Sequence, residues 1–181
     1  MDKQWEPWSR EPSNMGRAVK FATVRAVAPP QCEHLIQEAD LYLASLYPPA
    51  SIFSTPAHDF GQPGNVLLGA FRADTTSSGS PIGCVGYLVS HTEPGVAEIK
   101  RLFVSPGFRH LGVATQLMDA LEQEASDAGV GTLRLETGVH QHESLGLYFA
   151  RGYVQRGPFG SYLDDPYSVF LEKLLRSPTA V

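Results

Sequence analysis

Arg109, Gly112 and Ala114, in the stretch "RHLGVA", stand between an apolar run, "VAEIKRLFV", and the helical pattern that follows it. A glycine at that point costs a helix about 1 kcal/mol relative to alanine, so a local need has to outweigh the loss. A helix start exposes unpaired N–H groups and the positive end of its dipole. Gly112 lets a ligand approach, Ala114 keeps the next turn narrow, Arg109 adds a fixed positive charge and His110 is a further candidate cation. These are the parts of a pyrophosphate cradle. The hexapeptide alone also fits a tight turn carrying a surface arginine. Upstream, side-chain alternation puts Glu98 and Lys100 on one face of the run and Arg101 on the other. Lys100 and Arg101 are candidates to bind a substrate carboxylate.

The elements that would position these residues follow from periodicity. "KFATVRAV", residues 20–27, alternates loosely and reads as a first strand. A helix follows Pro29 and Pro30, with Leu35, Ile36, Ala39, Leu43 and Leu46 at helical spacing, and stops before Pro48 and Pro49. Residues 48–64, rich in proline and glycine, predict a long loop without a regular element, suited to cover a small pocket. "NVLLGAFRA" and "PIGCVGYLVSH" predict two strands around the polar tip "DTTSSGS", and "VAEIKRLFV" completes an antiparallel meander. From His110 to Ala128 the positions Leu111, Ala114, Leu117, Met118, Leu121 and Ala125 form a helical stripe, with Gly129 as its C-terminal cap. "GTLRLET" is then a strand parallel to "AEIKRLFV", because a strand–helix–strand unit with short connections is a crossover. "HESLGLYFARG" predicts a short helix, and "YVQRG" and "YSVFLEKLL" predict two more strands. The sum is a mixed α/β domain, with a mostly antiparallel sheet and one parallel βαβ junction flanked by helices.

Composition narrows the function classes. The 181 residues suit one domain, taken as 18–176 behind a flexible leader at 1–17 that lacks the apolar centre of a signal peptide. No apolar run approaches the roughly 20 residues of a membrane span. A formal net charge of −5 argues against nucleic acid as the main partner. Cys32 and Cys84 are too few and too scattered for a disulfide framework or a zinc site and read as buried packing residues, which makes the cytoplasm the default compartment. No Walker sequence, G-x-S-x-G elbow or H-E-x-x-H occurs, and "GCVG" lacks the third glycine of a dinucleotide fingerprint. His140-x-His142 has no third ligand nearby and reads as a solvated loop, so no metal is expected. His58 and His91 are candidates for substrate contact.

The ordered set of "V-S-P", Arg109-x-x-Gly112-x-Ala114, the amphipathic helix and the crossover strand resembles the GNAT superfamily of acyl-CoA-dependent N-acetyltransferases, small-molecule type. Downstream, "QHESLGLYFARGY" is similar to that superfamily's "N-x-x-A-x-x-L-Y-x-x-x-G-F", with Gln141, Ser144 and Tyr153 as departures and Leu147, Tyr148 and Gly152 in place. The resemblance covers roughly residues 20–174 and is firmest from Glu98 to Tyr153. It implies that main-chain groups of Leu102, Phe103 and Val104 pair with the pantetheine arm of acetyl-CoA. Main-chain N–H groups from Arg109 through His110, Leu111, Gly112 and Val113 to Ala114 would hold the pyrophosphate. Gln141 stands where the superfamily has its cofactor-contacting asparagine.

Transfer to an amine needs a neutral nucleophile and a proton for the leaving sulfur, and an alkylammonium has a pKa near 10. The resemblance places Tyr148 as general acid; the same residue also fits a packed aromatic of an amphipathic helix. Glu98, within "A-E-I" and eleven residues before Arg109, matches the general-base position of the histone-acetylating branch, and equally fits a strand glutamate paired with Lys100. Lys100 and Tyr162 are the candidate acceptor-binding residues, and Phe159 and Tyr162 line the acceptor pocket or merely pack. The expected reaction is acetyl transfer from acetyl-CoA to a primary amine of a small molecule, by direct attack in a ternary complex. A lysine or N-terminal protein acetyltransferase and a non-catalytic CoA-binding module remain as alternatives, and a homodimer is one assembly the resemblance allows.

Overall fold

Runs rich in β-branched and aromatic side chains suit a pleated surface, and here they become strands. In the computed structural model, which describes residues 21–73 and 79–175, these are β1 (Ala22–Ala26), β2 (Val66–Arg72), β3 (Gly83–Val89), β4 (Val96–Val104), β5 (Thr132–Gly138), β6 (Val154–Arg156) and β7 (Ser168–Leu174). They form one seven-stranded sheet in the order β1-β2-β3-β4-β5-β7-β6. Every neighbouring pair is antiparallel except β4 with β5. The mixed α/β class with one parallel junction is therefore as the alternation and the crossover predict. The expected leader at 1–17, most of the tip "DTTSSGS" and residue 176 lie outside the described residues.

Among the described residues three α-helices flank the sheet: α1 (Glu33–Leu46), α2 (Val113–Asp127) and α3 (His142–Ala150). The Pro29–Cys32 turn leads into α1, since proline presets φ for a first helical turn. The helix α2 begins at Val113, later than the stripe from His110 suggests. His110 and Gly112 take left-handed backbone, with φ of 60° and 77°, and such residues do not lie inside a right-handed helix. Its other end is as predicted: Gly129 has φ 80°, and Val130 N–H donates to the Ala125 carbonyl at 2.9 Å. Residues 48–64 are not wholly irregular, for short 3₁₀ turns occupy Pro49–Ser51 and Ala57–Gly61. Among the described residues no helix is long and apolar enough to cross a membrane.

The two faces of the sheet have separate cores. Leu117, Met118, Leu121 and Ala125 of α2 pack with Val85, Tyr87, Ala97, Ile99, Leu133 and Leu135, and Tyr148 of α3 joins them. Leu35, Ile36 and Ala39 of α1 pack on the other face with Phe60, Leu67, Cys84 and Phe103. Cys32 and Cys84 are both fully buried in that second core, as expected of packing residues.

Two irregularities of β4 shape everything near it. Cys84 pairs with Phe103 and Gly86 with Lys100, so Val85 faces both Arg101 and Leu102 across a β-bulge. Arg101 takes the left-handed conformation this needs, with φ 62°. The extra residue inverts the alternation. Before the bulge Ala97 and Ile99 enter the α2 core, which turns Glu98 and Lys100 to the other face; after it Phe103 joins the α1 core and Val104 the α2 core. The second irregularity is the pairing with β5, which stops after Glu98↔Arg134 while β5 stays paired with β7 as far as Gly138↔Ser168. Beyond Glu98 the two parallel strands part.

Gly86 sits beside this bulge, and a Cβ there would lie 2.4 Å from both the Val66 carbonyl oxygen and Phe60 Cε1. Because the first of these is backbone and cannot swing away, Gly86→Ala is expected to destabilise the protein by about 1–3 kcal/mol, read as a lower urea midpoint. An unchanged midpoint would contradict this packing.

Candidate active site

The parting of β4 and β5 opens a cavity of about 510 Å³. At one end it is bounded by the edge of β4 from Leu102 to Val104 and by Gly112, Ala114 and Thr115 at the start of α2. At the other it is bounded by Lys100, Glu136 and Tyr148, under a cover made by residues 51–55.

The first end is a ring of unused main-chain groups. β4 hydrogen-bonds to β3 along one edge, and past Glu98 its other edge has no strand beside it. The first helical bond of α2 runs from Gln116 N–H to the Gly112 carbonyl at 3.1 Å, no side chain caps the helix and no acid occupies its first turn. The N–H groups ahead of Gln116 are thus left as donors at a partly positive helix end. A Cβ on Gly112 would meet only Gln116 Nε2, at 3.9 Å. The glycine is required by its positive φ, and the room beside it is already open. Arg109 lies across the end of β4: its Nε donates to the Val104 carbonyl at 3.0 Å, and its guanidinium sits 5.3 Å from the Tyr42 ring centre and 5.5 Å from that of Phe103. His110 borders the cavity, 3.5 Å from Glu143. Leu111 points to solvent and Val113 into the core, so neither side chain reaches the cavity. Gln141 borders it, with Oε1 accepting from Thr137 Oγ1 at 3.0 Å and Gly138 N–H at 2.9 Å, which fixes the turn from β5 into α3.

At the second end Lys100 Nζ is 2.7 Å from Glu98 Oε1, the Tyr162 hydroxyl donates to the same oxygen at 2.5 Å, and Lys100 also donates to that hydroxyl. Glu98, Lys100 and Tyr162 are therefore brought together, but only Lys100 borders the cavity. The Tyr162 ring packs between Phe53 and Phe159, each 5.1 Å away. Burial, and then the Glu98 charge, hold its phenol far above the ordinary tyrosine range. Tyr148 does border the cavity; burial first and the Glu136 charge second raise its phenol well above 10. His58 and His91 lie away from the cavity, and His140 stacks on Tyr47 with ring centres 5.6 Å apart. Among the described residues no group of His, Cys, Asp and Glu could hold a metal.

Sequence reasoning missed Glu136 and Tyr47. Glu136 borders the cavity from β5, accepts from Ser168 Oγ at 2.6 Å, and is pushed up from the ordinary carboxyl range by burial. The signal was present: in "LRLET" the leucines take one face and Arg134 and Glu136 the other. Tyr47 closes the floor beside Gly138, where a Cβ would fall 2.1 Å from its hydroxyl. No pattern in the sequence joins these two distant residues. The cover is tied down by Arg101, whose Nε donates to the Thr55 carbonyl at 2.8 Å and whose guanidinium pairs with Asp40. Ser54 Oγ donates to Asp40 at 3.1 Å and Ser51 Oγ to Asp165 at 2.8 Å.

Comparison with known proteins agrees with this geometry. The model of the acetyltransferase (GNAT) family matches residues 32–153. An IAA acetyltransferase of Azospirillum brasilense is 41% identical over 141 residues, covering 78% of this chain and 88% of that protein. A solved structure described as a "putative acyl-CoA N-acyltransferase" from Klebsiella pneumoniae superposes with a TM-score of 0.69 at 31% identity, covering 86% of this chain and 99% of that one. The PaiA N-acetyltransferase of Thermoplasma acidophilum, solved in complex with coenzyme A, has a TM-score of 0.61 at 18% identity over 84% of this chain and 98% of that one, a likeness of fold.

The Arg101 contacts bind bulge, α1 and cover into one unit, with the arginine side chain only 7% exposed. Arg101→Ala is expected to cost about 1–2 kcal/mol, discounted because Asp40 stays partly solvated. Limited proteolysis should then cut residues 48–56 faster than in the wild type; equal cutting would place the stability of the cover elsewhere.

Proposed function

The chain belongs to the acetyltransferase (GNAT) family, and we propose that it moves an acetyl group from acetyl-CoA to a primary amine of a small molecule, by direct attack within a ternary complex. One observation carries this reading: the cavity joins an uncapped helix start and an unpaired strand edge to a covered compartment holding a carboxylate and a phenol. The residues present fit acetyl-CoA. The N–H groups around Gly112 to Thr115, together with Arg109 and His110, suit a diphosphate. The free edge of β4 from Leu102 to Val104 suits an extended amide-bearing arm, by the same main-chain pairing that adds a strand to a sheet. When bound, acetyl-CoA supplies the activated acyl carbon.

Tyr148 serves as the proton source for the departing sulfur. Its phenol keeps its proton throughout the physiological range, the form a general acid must hold before the step. Lys100 and Tyr162, locked to Glu98, keep the acceptor compartment in shape. A small acceptor is favoured over a peptide because residues 51–55 cover that compartment, where an extended chain would need an open groove. The relationship to a protein named as an IAA acetyltransferase points the same way.

Thiol release from acetyl-CoA, followed across free amines and lysine-bearing peptides, is expected with amines and at background with peptides; the reverse would make this a protein acetyltransferase. Gly112→Glu puts bulk and negative charge at the helix start, and should weaken CoA binding by about 100-fold or more by calorimetry, with the circular dichroism spectrum retained. Unchanged affinity would remove the cradle. Tyr148→Phe should lower kcat by roughly 100-fold with little change in KM for acetyl-CoA, and an unaltered kcat would return Tyr148 to packing.

A further inference from the structure

We propose that Glu136 binds the ammonium group of the acceptor and takes its proton before attack, while Glu98 acts as a positioning residue for Lys100 and Tyr162; this rests on the acetyl-transfer reading above. Among the described residues two carboxylates border the cavity, Glu136 and Glu143. Glu143 is 68% exposed and sits beside His110 at the helix-start end, away from the covered compartment. Glu136 stands on β5 directly across the gap that β4 leaves after Glu98. One of its oxygens accepts from Ser168 Oγ, and the other has no hydrogen bond among the described residues. A half-buried carboxylate oxygen without a donor is a site for a charged donor to fill.

Glu98 differs on each count. It does not border the cavity, and its Oε1 is taken by Lys100 and by the Tyr162 hydroxyl. The ammonium of Lys100 is in direct contact with Glu98 and acts on Glu136 only through space, where burial outweighs it. The groups facing Glu136 are Glu98 and Lys100 from β4, Asp165 and Ser168 from the approach to β7 and its first residue, Tyr47 from the end of α1, Tyr148 from α3 and Tyr162 from the segment after β6. Of the charged groups that act on Glu136, two are carboxylates, Glu98 and Asp165, and one is the Lys100 ammonium, so the surroundings of Glu136 carry surplus negative charge, which a cationic acceptor complements. The same cavity is also lined by Tyr47, Ile52 and Phe53, which suits an acceptor with an apolar body of aromatic size. Tyr148 feels the Glu136 charge, so the proton acceptor and the proton donor share one space.

The step balances. The Glu136 carboxylate removes one proton from R–NH₃⁺, and the freed nitrogen lone pair forms the C–N bond as the C–S bond breaks. Tyr148 passes its proton to sulfur and regains one from the nitrogen, which is left with a single hydrogen in the amide. The Glu136 proton leaves to solvent, giving the N-acetyl amine, CoA thiol and one proton. Burial raises the affinity of this carboxyl for a proton and so narrows its gap to the ammonium.

The test compares wild type, Glu136→Gln and Glu98→Gln with 2-phenylethylamine as the probe. Calorimetry on CoA-loaded protein should show amine affinity weakened about 10-fold in Glu136→Gln, the loss of one charge-assisted contact, with CoA affinity as in the wild type. Thiol release from about pH 6 to about pH 9 should show kcat/KM lowered about 100-fold or more and the acidic limb gone in Glu136→Gln, whereas Glu98→Gln keeps that limb. A further readout needs no substrate. A carboxyl whose folded pKa is raised contributes stability below its unfolded value and loses it as pH climbs through the folded value, and glutamine mimics the protonated form. Glu136→Gln should therefore melt above the wild type at about pH 8, with the difference closing towards about pH 5. The proposal is overturned by an acidic limb retained in Glu136→Gln, by amine affinity that this variant does not weaken, by absence of amine binding to the wild type, or by a melting difference that does not change with pH. CoA failing to bind the wild type would instead overturn the acetyl-transfer reading.

Discussion

The separation of β4 from β5 after Glu98 is the constraint from which the site follows. A fully paired parallel sheet would bury the edge of β4 in hydrogen bonds and leave no gap. Here one extra residue, Arg101, breaks the rhythm of β4 against β3, while β5 remains committed to β7 along its whole length. The strands diverge, the β4 edge keeps its main-chain donors and acceptors, and the cavity is the space between. Arg101 also holds the cover through Thr55 and Asp40, so the residue that bends the strand ties down the loop over the opening.

Placing charge around such a gap carries a cost, since ionised groups taken out of water need partners. The protein meets it unevenly. Glu98, Lys100 and Tyr162 satisfy one another, Arg134 is shared by Glu93 at 2.6 Å and Glu172 at 2.8 Å, and Arg151 and Lys173 surround Glu122. Among the described residues Glu136 accepts from a single neutral donor, the Ser168 hydroxyl. That imbalance separates Glu136 from the carboxylates whose charges are paired within the fold.

Much of the architecture was legible in the chain. The meander, the amphipathic α2 with its Gly129 stop and the parallel crossover strand are local patterns with local causes, and the structure reproduces them. Where the structure departs from the apolar pattern, a competing backbone preference is the cause. The apolar stripe continues back to Leu111, yet α2 starts at Val113 because His110 and Gly112 are left-handed. The sequence suggests that Gly112 clears room for a ligand, and in the structure its positive φ is the stricter demand.

The sequence by itself determined the family, the fold class and the end of the cavity built from one continuous stretch, Leu102 to Ala114. Those follow from hydrogen-bond geometry and side-chain period, which act between near neighbours in the chain. Only the tertiary structure decided which acid borders the cavity and which is locked away. Glu98 and Glu136 look alike as strand glutamates, and they differ because Tyr162 reaches one across 64 residues while Ser168 leaves the other half-served. Burial and partner choice are properties of the packed chain, set by contacts between segments that no local pattern links.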